Sequence, residues 1–325
     1  WSSDVCSSDL KALQLVSAGM IGINVVPVPE PGPGKALVRM KAASLNRRDE
    51  WIREGKYPNI KYGVTLGSDG AGVVEKVHDE ADQPWVGEEV VINPNINWGP
   101  DPEVQSKYYT ILGMPVDGTF AEYCCVPVDR LKRKPEHLDA LQAATLPLGG
   151  LTAYRALFRR GNLKAGQNVL ISGFGGGVAQ FVFSFASAAG ANIYVSSGSD
   201  AKIEKALRMG AKGAYNYKTT SEFPDLWKTR GGFDLVIDSA GGDQAAVVVA
   251  EQAQEIGAAA LAELEIVGVV DDAAEIGVLE IDANRQGVDA TRDAAGDIGP
   301  GLRHPPPPGA DRKSTRLNSS HVALS

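Results

Sequence analysis

Asn168-Val169-Leu170-Ile171, followed by Ser172-Gly173-Phe174-Gly175-Gly176-Gly177-Val178-Ala179, is the stretch that most restricts how this chain can fold. An apolar, β-prone run enters a glycine turn, and the apolar residues that continue to 189 predict a buried helix. A strand that turns directly into a helix needs residues without a Cβ where the backbone doubles back. Small residues at 173, 176 and 179 follow the spacing small-x-x-Gly-x-x-small. In that setting Gly176 lets the backbone close on a pyrophosphate, and Ala179 lets the helix pack near the sheet. The N–H groups of the first helical turn then hold the phosphates. Gly173, Gly175, Gly176, Gly177 and Val178 are therefore candidate dinucleotide contacts. The plainer reading is a glycine-rich turn that only joins two elements.

The rhythm around this turn agrees with it. Residues 192–195 read as a second strand, 201–209 as a helix with Ile203, Ala206 and Leu207 on one side, 214–216 as a short third strand and 233–238 as a fourth. Alternating strands and helices from about residue 146 predict a parallel sheet covered on both faces. A complete dinucleotide sheet has about six strands. Four are evident before residue 243, and 264–270 is a candidate fifth. Upstream, residues 11–145 carry short strands at 36–40, 72–77 and 89–92, closely punctuated by Gly and Pro, which predicts a compact, largely β domain.

Composition breaks at residue 243. Residues 243–311 hold 14 Asp and Glu against 3 Arg, with no Lys and no aromatic residue, and 15 of the 69 are Ala. That segment carries a net charge of −11 and leaves the rest of the chain at +3, so the overall −8 does not describe the folded part. A core built without one aromatic is not expected here. The segment reads as an anomalous Ala- and acid-rich tail, helical over 245–264 and otherwise disordered. Residues 1–10 and 312–325 resemble translated vector sequence, an artefactual leader and tail. The expected domains are 11–145 and 146–242, the second incomplete at its C-terminus.

The near-neutral remainder asks for neither nucleic acid nor an anionic membrane as partner, and no apolar run is long enough to span a bilayer. With no signal peptide at the start, a cytoplasmic location is the default. The cysteines stand at 6, 124 and 125; Cys124 and Cys125 would face opposite ways on a strand, as inert thiols. No metal site follows from them or from His78 and His137.

Cofactor preference is legible after the second strand. An NAD site wants a carboxylate just past it, and Ser197 and Gly198 supply none. The hydroxyls of Ser197 and Ser199 with the charge of Lys202 suit a 2′-phosphate, which favours NADP(H); Asp200 is expected to cap the next helix. Asp238, at the carboxyl end of the fourth strand, borders the cofactor or caps a helix.

Leu45-Asn46-Arg47-Arg48-Asp49, Leu66-Gly67-Ser68-Asp69-Gly70-Ala71-Gly72, Asp117-Gly118-Thr119-Phe120-Ala121-Glu122-Tyr123 and Gly150-Leu151-Thr152-Ala153-Tyr154, with the glycine turn, carry a resemblance. Over about residues 11–242 the chain resembles the medium-chain dehydrogenase/reductase superfamily, in its zinc-free, quinone-oxidoreductase-like branch. The resemblance implies an α/β fold with a GroES-like substrate domain before a Rossmann-type domain, and a homodimer. It implies that Asn46 lies beside the nicotinamide and substrate, that Trp51 and Tyr57 line the pocket and that Thr152 lies near the nicotinamide ring. Zinc alcohol dehydrogenases carry Cys at the place of Asn46 and His-Glu at the places of Ser68 and Asp69.

The expected activity is hydride transfer from NADPH to a small quinone or α,β-unsaturated carbonyl, without metal. Such acceptors already withdraw electrons, so the site has to place the acceptor and donate a hydrogen bond to the developing oxyanion. Asn46, Tyr57 and Thr152 are the candidate donors or orienters, and Trp51 a pocket wall. The alternatives are an inactive nucleotide-binding or structural protein and a zinc-dependent alcohol dehydrogenase.

Overall fold

The computed structural model describes residues 9–219, 232–238, 265–269, 276–279 and 323–324. The expected helix at 245–264 lies outside the described residues, apart from its neighbour strand at 265–269. The chain divides into two compact units, residues 1–155 with 271–276 and 319–325, and residues 156–270 with 277–318. The main division falls after residue 155 rather than 145, so the Gly-Leu-Thr segment belongs to the first unit. No helix among the described residues is long and apolar enough to cross a membrane.

The first unit opens on an antiparallel hairpin, β1 (Asp9–Ser17) and β2 (Met20–Pro27). Leu10 is buried in it, so the last residues of the expected leader take part in the fold. Next come β3 (Lys35–Ser44), α1 (Arg47–Arg53), β4 (Asp69–Val77) and β5 (Glu89–Ile92). The short strands β6 (Asn95–Ile96), β7 (Thr110–Leu112) and β8 (Pro115–Val116) make a small sheet of their own. They are followed by β9 (Tyr123–Pro127), β10 (Leu131–Arg133), α2 (Ala140–Ala144) and α3 (Pro147–Tyr154).

The main sheet runs β10-β5-β4-β3, antiparallel throughout, with β9 also on β3. Alternating residues of these strands meet in one core, where Val38, Val90, Ile92 and Val126 are wholly buried. Each such side chain stabilises the fold by about 1.5–3 kcal/mol relative to exposure. On β9, Cys124 is buried and Cys125 half-buried, as the pleat requires. Backbones meet where glycines stand: a Cβ at Gly118 would fall 1.9 Å from the Gly67 carbonyl oxygen, and one at Gly113 2.7 Å from it.

The second unit is a parallel sheet. β11 (Asn168–Ile171), α4 (Gly177–Ala188), β12 (Asn192–Ser197), α5 (Asp200–Arg208), β13 (Gly213–Asn216) and β14 (Leu235–Asp238) follow the expected alternation. Two further strands, β15 (Glu265–Val269) and β16 (Ile276–Leu279), join the same sheet. β15 is the candidate fifth strand of the sequence pattern; β16 was not expected. The spatial order β13-β12-β11-β14-β15-β16 is the 3-2-1-4-5-6 order of a dinucleotide fold. On α4, Ala179, Val182, Phe183 and Ala186 are buried, an i, i+3, i+4, i+7 stripe facing the core. Near the chain end, β17 (Ala323–Leu324) pairs antiparallel with Ala43 and Ser44 of β3.

Candidate functional site

In the first unit the residues of interest surround the start of α1. Asn46 is its N-cap, in extended conformation, and its backbone N–H donates to Asp49 Oδ2 at 2.7 Å. The Asn46 Nδ2 amide donates to Asp69 Oδ2 at 3.0 Å. Asp69 is 1% exposed; its Oδ1 accepts from the Leu148 N–H of α3 at 2.7 Å, and Ser44 Oγ donates to Oδ2 at 3.4 Å. The two buried carboxyls respond to this setting. Burial raises Asp69 to about 7, against the opposing hydrogen bonds from Asn46 and Leu148. Burial likewise raises Asp49 to about 6, with the Asn46 N–H and the Arg48 charge pulling the other way.

Both carboxyls hold a proton more readily in the folded chain than in the unfolded one, where an Asp titrates near ~3.9. Between about pH 4 and 7 the folded state therefore binds more protons, and stability falls as pH rises through that window. The melting temperature is expected to be higher at pH 5.5 than at pH 7.5, and Asp69→Asn to flatten that dependence. Thermal scans of both proteins across the window check it; a wild-type profile without this slope contradicts it.

Behind Asn46 lies a buried cation that the sequence reading did not single out. Arg48 is 1% exposed. Its Nη1 donates to Ser68 Oγ and to Leu112 O at 2.8 Å, and its Nη2 donates to Met114 O and to Tyr57 Oη, each at 3.1 Å. The guanidinium also stands over the Tyr57 ring, 4.7 Å from its centroid. Its one sequence signal is the i, i+4 spacing to the wholly buried Ile52 on α1.

The candidate residues are thus distributed unevenly. Asn46 and α3 share Asp69, and Tyr57 rests on Arg48. Thr152, buried on α3, donates its hydroxyl proton to Leu148 O at 2.8 Å, which leaves it an acceptor rather than a donor. Trp51 is half-buried on α1, where its carbonyl accepts from Lys56 N–H at 2.9 Å.

The donor chemistry around positions 46, 68 and 69 does not fit a dication. Asn46 turns an N–H toward Asp69, and Ser68 Oγ accepts from a guanidinium and donates to Leu112 O at 2.9 Å. A fixed positive charge already stands against the serine. Among the described residues no three His, Cys, Asp or Glu side chains converge as metal ligands would.

In the second unit the glycine turn has the form its sequence predicts. Gly173 and Gly175 take φ of +63° and +117°, and Gly176 is the N-cap of α4, with Gly177 and Val178 in the first turn. A Cβ at Gly176 would have its nearest neighbour at 3.9 Å, so the backbone there is open to a close-approaching group. The orphan N–H groups of a helix start fit a pyrophosphate. Lys202 leans over the turn, its Nζ 2.7 Å from where a Cβ of Gly175 would stand.

Ser197 is buried, and its Oγ donates to Phe174 O at 3.3 Å, tying β12 to the turn. Ser199 is the N-cap of α5, where its carbonyl accepts from Lys202 and Ile203 N–H at 3.1 Å. Asp200, expected as the cap, is instead the first residue of α5 because the chain turns into the helix one residue earlier, and its carboxylate accepts from Asn216 Nδ2 at 2.7 Å. Two groups missed by the sequence reading lie close by: a Cβ at Gly198 would fall 2.7 Å from Tyr217 Oη and 2.8 Å from Lys218 Cε. Their separation of about twenty residues from Ser197 hides them in a linear reading. Asp238 is buried and accepts from Ser172 Oγ, carboxyl end to carboxyl end of β14 and β11.

The family profile described as the alcohol dehydrogenase GroES-like domain matches residues 32–136, and the one described as zinc-binding dehydrogenase matches residues 177–288. A zinc-type alcohol dehydrogenase-like protein YogA of Leptosphaeria maculans is 40% identical over 240 residues, 68% of this chain and 66% of that protein. The human quinone oxidoreductase is 30% identical over 218 residues, 66% of this chain and 60% of the relative. The chain thus spans a little under two thirds of these relatives. A crystal structure of an NAD-dependent alcohol dehydrogenase aligns with a TM-score of 0.67 at 33% identity, covering 74% of this chain and 73% of that one.

Proposed function

This chain belongs to the medium-chain dehydrogenase/reductase superfamily, and on that premise we propose that it reduces quinones or α,β-unsaturated carbonyls with NADPH, without a metal. The observation that carries the reading is the donor set beside Asn46: an amide stands at the place of a zinc enzyme's Cys, and the serine at the place of its His is taken up by a buried guanidinium. When bound, the reduced nicotinamide supplies two electrons and a hydrogen as hydride. Negative charge then develops on the acceptor's oxygen, and a proton from solvent completes the reduction.

The chain's own part is to hold and polarise. Asn46 Nδ2 bears two hydrogens; Asp69 takes one, and the second is suited to the developing oxyanion. Tyr57, polarised by the guanidinium beneath it, orients the acceptor, with Trp51 as a wall. Thr152 takes an accepting role toward the cofactor's carboxamide. On the cofactor side, the N–H groups at the start of α4 hold the pyrophosphate. Lys202 and the Tyr217–Lys218 pair beside Gly198 favour a 2′-phosphate over a bare ribose.

The full chain with NADPH and a quinone or enone should oxidise the cofactor, and NADH should require a KM about tenfold higher or more, the worth of one charge-assisted hydrogen bond. Lys202→Ala should raise the KM for NADPH by about the same factor and leave NADH unchanged. The identity to a zinc-type alcohol dehydrogenase-like protein favours a second reading, oxidation of an alcohol. Stoichiometric zinc and turnover of an alcohol with NAD, in the absence of enone reduction, would establish that reading instead.

A further inference from the structure

We propose that Asp69 is a positioning residue that sets the amide of Asn46 in its working orientation and seats the helix carrying Thr152 on the same anchor. This rests on the proposed role of Asn46. In the fold the Asp69 carboxyl accepts at both oxygens, and above about pH 7, where it is ionised and donates nothing, only the Nδ2 edge of an amide can face it. Asp69 Oδ2 receives that edge at 3.0 Å, and Oδ1 holds the backbone N–H of Leu148 at 2.7 Å. The same residue's carbonyl accepts from Thr119 Oγ1 at 2.7 Å, which pins the start of β4 itself. One side chain thus links the N-cap of α1, the first turn of α3 and the main sheet. Asp49 fixes the Asn46 backbone from the other side, so the amide is left with one hydrogen whose direction Asp69 dictates.

Asp69→Asn separates the two arms. Its side-chain oxygen still receives the Leu148 N–H, while its NH2, a donor, now calls for the Oδ1 edge of Asn46 and so reverses the amide. The expected result is a fall in kcat of about 10- to 100-fold, below the ~10²–10³ of losing an oxyanion donor outright, with KM changed less than about threefold. Asn46→Ala should lower kcat by about 100-fold or more, and adding Asp69→Asn to it should cost nothing further. Asp69→Asn with full kcat, or with the same fractional loss in the Asn46→Ala background, overturns the proposal. A wild type without turnover, or an active Asn46→Ala, instead removes the functional reading.

A measurement without any Asp69 variant tests the positioning directly. In 15N spectra of the full chain, the side-chain amide that vanishes in Asn46→Ala should show one slowly exchanging hydrogen held by the buried carboxylate. Two rapidly exchanging hydrogens overturn the proposal even if Asp69→Asn fails to fold.

Discussion

Arg48→Met is expected to destabilise the first unit by about 3 kcal/mol or more and to depress turnover with it. The side chain is buried and donates to four acceptors, none of them a carboxylate. An apolar replacement of a buried ion pair is often harmless because both charges leave together. Here only the donor leaves. Met114 O and Ser68 Oγ, both on buried residues, lose the guanidinium, and each buried acceptor so deprived costs about 1–3 kcal/mol. The Coulombic help that Arg48 gives to ionised Asp49 goes as well. Arg48→Lys should recover only part of the loss, since an ammonium lacks the planar fork that reaches both sides. Urea denaturation beside steady-state kinetics checks the expectation; a variant of wild-type stability would show that the four bonds contribute nothing net.

Gly118→Ala is expected to be at least as severe. Its new methyl would lie 1.9 Å from the Gly67 oxygen and 2.7 Å from the Gly113 Cα, and these are backbone atoms that cannot rotate aside. Overpacking a well-filled site costs about 1–3 kcal/mol when side chains can give, and more when the backbone must move. Gly67 leads directly into Ser68 and Asp69, so the displacement reaches the Asn46 amide. Gly87→Ala is the matched control: φ is +88° and nothing lies within 4 Å, so only the conformational cost of about 1–2 kcal/mol applies. Soluble yield and melting temperature should separate the two variants clearly; equal losses would mean that the backbone approach at Gly118 is not the cause.

What could be read in advance follows from how local the physics is. The turn at 172–179 was legible because a strand, a forced φ and a helix start sit side by side in the chain. Strands such as Lys35–Ser44 and Asp69–Val77 were visible through their apolar pattern, though each extends beyond the segment expected. The site's supports were hidden because they join distant residues. Asp69 meets Leu148 and Arg48 meets Leu112 only after the β domain has closed. Asn46 was expected from resemblance to lie beside the nicotinamide and substrate, and the fold makes it a helix cap with an amide directed by a neighbour. Composition misled at β15 and β16, where short apolar runs inside an acidic stretch still join the sheet.

Between β11 and β14 the strand sequence turns back on itself, and in such sheets the crevice for a ligand opens there. Ser172 and Asp238 bolt the seam between the two strands shut from either lip, beside the backbone bond from Ser172 N–H to Ile237 O. The floor beneath the glycine turn is therefore a riveted plate rather than a pair of leaves. Any ligand seated on the glycine turn would rest on two strands already fastened to each other at their carboxyl ends.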